Sequence, residues 1–153
     1  MVAAVAIVAA TLGRLPATIA THFDGHGVPN AWSSHAGYLL TLMGIGLVLP
    51  LAIVGLVGAI ARRWPQGLNI PHREYWLARE RVQEAVGRLE GYLWWLGCIM
   101  LAATLAIHLL ILDAHTSEPP RLSLTAILVT LAAIVVSIGF WIVGIYRNFR
   151  PLR

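Results

Sequence analysis

The 153-residue chain is 58% hydrophobic and only 12% charged, with a formal net charge of +4 and a mean hydropathy of +0.74. Soluble domains carry about a quarter charged residues, so this composition excludes a soluble enzyme domain, a disordered tail and a disulfide scaffold. It points to one integral membrane domain spanning residues 1–153.

All eleven positive residues are arginine. In a membrane protein such charge orients the chain and meets anionic lipid; nucleic acid is not an expected partner. The single Cys98 sits in an apolar run and reads as a small hydrophobe.

In chain order, the first apolar run covers residues 2–12, short of the about 20 residues a bilayer demands. Continued past Arg14 and Pro16 it gives a first transmembrane helix of about residues 2–20, with Arg14 snorkelling to the interface. No positive segment precedes the run, which argues against a signal peptide.

An outer loop over 15–36 follows. Its His22, Asp24 and His26 alternate, and imidazoles with a carboxylate suit zinc or copper. That reading needs an extended segment, whereas Asp24-Gly25 suggests a turn. The alternative is a loop held by side-chain hydrogen bonds, with no metal or other cofactor.

A second helix is expected over 37–61. Pro50 lies midway and should kink it, while Gly55 and Ala59 form a small-residue pair suited to close helix approach. Residues 62–91 form a cytoplasmic segment in which Tyr75, Ala78, Val82, Ala85, Val86 and Leu89 recur at spacings of three and four. This predicts an amphipathic interfacial helix over 73–90 that runs into a third transmembrane helix at 92–112.

Within that third helix, His108 is an intramembrane ionisable residue and a candidate site by default. A hydrogen bond to another helix and a proton relay through Asp113 are both open. A fourth helix is expected over 122–146.

With the first N-terminus inside, the cytoplasmic segments hold nine arginines and only Arg14 and Arg121 fall outside. The positive-inside rule therefore places both termini in the cytoplasm for four helices; with three, the tail stays inside and the N-terminus moves out, so charge does not settle the first helix. The expected fold is an all-α bundle of four transmembrane helices with one cytoplasmic amphipathic helix. No nucleophile elbow, phosphate loop, HExxH or CxxC is present, so no catalysis and no catalytic residue is expected.

The outer loop resembles a known bacterial membrane signature through Leu15, Pro16, Ile19, His22, Phe23, Gly27 and Trp32. A second stretch matches at Pro71, Glu74, Tyr75, Trp76, Leu77, Glu80 and Arg81. Together they are similar to the domain of unknown function 1648 family, found alone or at the front of Sdp-type bacteriocin immunity proteins. Ala20, Ala31 and Arg79 depart from its pattern, and His26 and His35 do not belong to it.

The resemblance implies that the first helix is real and that the chain resides in the bacterial inner membrane. Immunity members of the family protect against a membrane-active peptide toxin and are longer than this sequence. The expectation is thus a non-enzymatic protein that acts by binding, as an accessory subunit, toxin-immunity factor or sensor. Its partners would be lipid and a membrane protein or a second copy.

The outer contact surface would use Pro16, His22, Phe23, Gly27 and Trp32; the cytoplasmic one would use Tyr75, Trp76, Glu80 and Arg81. The alternative is a small oligomeric transporter or channel using His108, Asp113 and a Pro50 hinge.

Overall fold

The computed structural model describes residues 2–151; Arg153, counted among the cytoplasmic arginines, lies outside them. The chain is mostly helical, with a small two-stranded sheet. The first helix, α1, runs Val2–Leu12. Strands β1 (Thr18–Phe23) and β2 (Pro29–Ser34) form an antiparallel hairpin. Helix α2 covers His35–Arg63, α3 is the single turn Arg73–Trp76, α4 runs Val82–Ala114 and α5 runs Leu124–Asn148. Three of these, α2, α4 and α5, are long and apolar enough to cross a membrane.

The first helix is shorter than the 2–20 expected. At about 1.5 Å per residue its 11 residues reach roughly half of a bilayer's hydrocarbon core. The helix closes in a turn where Arg14 N–H bonds Thr11 O and Leu15 N–H bonds Leu12 O. From Thr18 the backbone hydrogen-bonds across to β2, and Ile19 is buried against Leu15, Tyr38 and Ile111. Asp24-Gly25 followed by a positive-φ Gly27 makes the reversal, so a hairpin stands in place of the expected outer loop of an all-α fold.

Serines start two of the three long helices, α2 and α5. Ser34 Oγ accepts Gly37 N–H at 3.2 Å and Ser123 Oγ accepts Ala126 N–H at 3.3 Å, each satisfying one of the donors a helix start leaves unpaired.

Pro50 acts on α2 through a local change of winding. Over Gly44–Val48 the helix widens to π spacing, with Leu49 N–H bonding Gly44 O five residues back. The wider turn gives room to the proline ring, which otherwise collides with the carbonyl four residues earlier. Inside this turn Gly46 is buried, and a Cβ there would lie 2.5 Å from Thr104 Cγ2. That glycine lets α2 and α4 approach closely. The expected Gly55/Ala59 pair does not mediate packing: both residues are exposed, and nothing lies within 4 Å of a Cβ built at Gly55.

Helix α4 is the axis of the molecule, touching α1, α2 and α5. Its 33 residues, about 50 Å, exceed the bilayer core. The excess explains a second correction. The amphipathic helix expected over 73–90 is broken at residues 77–81, and its second half is the first part of α4. The apolar stripe survives the break, with Ala85 and Val86 buried and Tyr75, Val82 and Leu89 packed beside them.

The core at this arginine-rich end is a clasp built on Trp76, which is fully buried. Its indole Nε1–H donates to Phe149 O at 2.7 Å and its ring meets Phe149 edge-on. The Arg88 guanidinium lies 4.5 Å from the Trp76 ring centroid and also pairs with Glu84 and with Asn148 O. Trp141 Nε1–H and Asn148 Nδ2–H bond the carbonyl and hydroxyl of Tyr92, at 2.7 and 2.8 Å. The loop after α2 thereby fastens the end of α5 to the start of α4.

Candidate functional site

The hairpin lies across the opposite end of the bundle and is pinned at three places. His35 Nε2–H donates to Leu15 O at 3.0 Å. His115 Nδ1–H donates to Ile111 O at 2.8 Å, which leaves Nε2 to accept the N–H of buried Ala20 at 3.1 Å. Leu122 N–H bonds Gly27 O at 3.0 Å. Gly27 has φ +74°, and a Cβ there would fall 2.3 Å from Leu122 O. Glycine is required twice over at this position, by the left-handed backbone and by the close approach.

The turn itself is an Asx turn. The Asp24 carboxylate accepts Val28 N–H at 2.9 Å and His26 N–H at 2.8 Å. These backbone bonds, Val28's first, hold the Asp24 carboxyl below its ordinary value of 3.8. A depressed carboxyl stabilises the turn above the unfolded value, and the effect is lost as pH falls through the folded one. Asp24 is therefore expected to titrate with a midpoint below 3.8, with the His26 and Val28 amide shifts moving alongside, as read by NMR. A midpoint at or above that value would contradict the turn.

His22 and His26 do not join Asp24 in a cluster. His22 Nδ1 pairs with Asn30 Oδ1 across the hairpin, and among the described residues no three His, Cys, Asp or Glu side chains form a metal-binding group.

The loop residues singled out from sequence fall into two sets. Gly27 is buried and Phe23 is half-buried, paired with Pro29 at the strand end; both shape the hairpin. Pro16, His22 and Trp32 are exposed, Trp32 to 50%.

The interfacial set is drawn inward. Trp76 is internal and Tyr75 half-buried, with the Arg81 guanidinium 4.1 Å from the Tyr75 ring centroid. Of that set Glu80 is exposed, Tyr75 and Arg81 are half-buried, and Trp76 alone is fully buried.

His108 is fully buried. It binds two helices at once. Thr11 Oγ1 lies 2.6 Å from Ile7 O and 2.8 Å from His108 Nε2. A hydroxyl has one proton; given to Ile7 O, it leaves Thr11 to accept from Nε2–H. Nδ1 is then free to accept the Tyr38 O–H at 2.7 Å. The chain Tyr38→His108→Thr11→Ile7 uses every donor once and joins α2, α4 and α1. Asp113 is exposed near the end of α4 and is not part of it.

The sequence does not single out Thr11 or Tyr38, and it offers His115 only as part of a polar outer turn with Asp113 and Glu118. The usable signal was depth: Thr11, Tyr38 and His108 all sit within two turns of the hairpin ends of their helices.

Residues 1–47 match the family described as Domain of unknown function (DUF1648). No curated protein and no solved structure matches the chain. The DUF1648 segment contains α1, the hairpin and α2 through Leu47, hence both Thr11 and Tyr38. His108, which ties these two together, comes from beyond the matched segment. Within the segment, Leu15, Ile19 and Gly27 are accounted for by packing, whereas His22 and Trp32 are left at the surface.

Proposed function

We propose that the protein is a non-enzymatic bacterial inner-membrane protein that acts by binding, through the hairpin face that carries His22, Asn30 and Trp32. One observation supports this most: the hairpin is pinned at three places, yet His22 and Trp32 remain exposed on it. A rigid scaffold that presents an exposed tryptophan and a paired imidazole suits recognition, because little conformational entropy is lost on contact.

The arginine asymmetry supports an orientation with the segment after α2 and the C-terminal end in the cytoplasm and the hairpin outside. In that setting the protein serves as an accessory subunit, a toxin-immunity factor or a sensor, with another membrane protein as partner.

The test is a photo-crosslinking side chain at exposed Ala31 of β2, compared with one at Phe140 of α5, which is 75% exposed. In living cells Ala31 should give a discrete polypeptide adduct that Phe140 does not. Combining His22→Ala with Trp32→Ala should reduce it about tenfold, the effect of losing one strong contact residue. Identical products from the two positions would remove the reading.

A further inference from the structure

Beneath the hairpin is a pocket of about 440 Å³, within the range of about 300–1,000 Å³ common to small-molecule sites. Thr21, Trp32 and Ser33 line it from the hairpin, Tyr38 and Thr41 from the start of α2, and Ile45 and Ile107 from further down α2 and α4. It opens sideways on the apolar surface, since Ile45 and Ile107 are exposed at its edge.

Its polarity is graded. Hydroxyls cluster at the hairpin, and Ile45 lies ten residues into α2, about 15 Å down the helix. The hydroxyls along the helices are already engaged: Tyr38 with His108, Thr41 with Gly37 O and Thr104 with Met100 O. Among the described residues, the hydroxyls of Thr21 and Ser33 have no hydrogen-bond partner in the protein. No charged side chain lines the pocket.

We propose that this pocket binds a membrane glycerolipid from the leaflet that the hairpin faces. The ester carbonyls accept hydrogen bonds from Thr21 and Ser33, and one acyl chain runs down past Ile45 and Ile107. The lining selects this chemistry. A free fatty acid would bring a carboxylate with no cation to meet it, at a desolvation cost. A polypeptide segment would bring an N–H and a C=O at every residue, which two hydroxyls cannot satisfy in an apolar surround. An ester group brings acceptors only, in the number the two hydroxyls supply. Trp32 borders both this pocket and the outward face of the hairpin, but the variants that test the pocket leave Trp32 and His22 in place.

The full chain in nanodiscs of phosphatidylethanolamine and phosphatidylglycerol, moved to detergent and read by native mass spectrometry, tests this. One phospholipid should stay bound after loosely held lipid is stripped. Thr21→Val with Ser33→Ala keeps the shape, removes both hydroxyls and should cut retention about tenfold, as two modest hydrogen bonds imply. Ile45→Trp, which fills the pocket, should abolish retention. Helicity by circular dichroism should be unchanged in both. No phospholipid kept by the parent, or equal retention after loss of both hydroxyls, overturns the proposal whatever Ile45→Trp does.

Discussion

Replacing His108 with Leu should destabilise the protein by about 2–4 kcal/mol. The substitution leaves the buried Tyr38 hydroxyl without its acceptor, at a cost of about 1–3 kcal/mol. It also removes the bridge to Thr11, worth about 1 kcal/mol between helices in a membrane. Thermal unfolding in detergent should fall by roughly 5–15 °C. The effect is specific to the pairing, so Tyr38→Phe added to His108→Leu should recover part of the loss, because replacing both partners by apolar groups leaves nothing unsatisfied. A melting temperature unchanged by His108→Leu, or a double variant no more stable than the single one, would show that the chain Tyr38→His108→Thr11 does not hold the helices.

Gly27→Ala is the second large effect, about 3 kcal/mol. A left-handed backbone costs a β-carbon about 1–2 kcal/mol. The new methyl also falls 2.3 Å from Leu122 O, a backbone atom that moves only if the strap after α4 moves with it. That shift breaks the Leu122 N–H to Gly27 O bond and unpins the hairpin tip. The control lies two residues away: nothing is within 4 Å of a Cβ at Gly25 and its φ is not positive. Gly25→Ala should therefore change stability by no more than about 0.5 kcal/mol. Equal melting temperatures for the two variants would refute the close approach at Gly27.

The long helices were legible because their signal is local. Runs of apolar residues near 37–61, 92–112 and 122–146 report transfer free energy one residue at a time; the observed spans end close to them, and all but α4, which starts ten residues early at Val82, begin close to them. The stop of α1 was less legible, since residues 2–20 are apolar enough to continue as helix. The chain leaves the helix at Gly13 because β1 finds a partner strand and Ile19 finds a core, and hydropathy reports neither. Asp24-Gly25 marks the turn in the sequence, but the strand pairing on either side of it leaves no mark in hydropathy.

At the arginine-rich end the helical periodicity of Tyr75, Val82, Val86 and Leu89 correctly marked one apolar face. It did not show that the face packs against the protein's own C-terminal end. Phe149 lies 73 residues from Trp76 along the chain, and nothing in the intervening sequence records that contact. For the same reason Trp76 looked like an interfacial anchor and is an internal one.

By itself the sequence determined the membrane character, the three long apolar helices, the arginine asymmetry and the resemblance carried by residues 15–32. Each follows from residue chemistry summed over short windows. Only the tertiary structure decided which polar groups meet: His108 with a threonine 97 positions away and a tyrosine 70 away, and Ala20 with His115. It also decided that Gly27, Leu15 and Ile19 serve packing while His22 and Trp32 remain exposed. A buried polar group must find a partner in an apolar medium, but which partner depends on how the helices pack, and that is a property of the assembled chain.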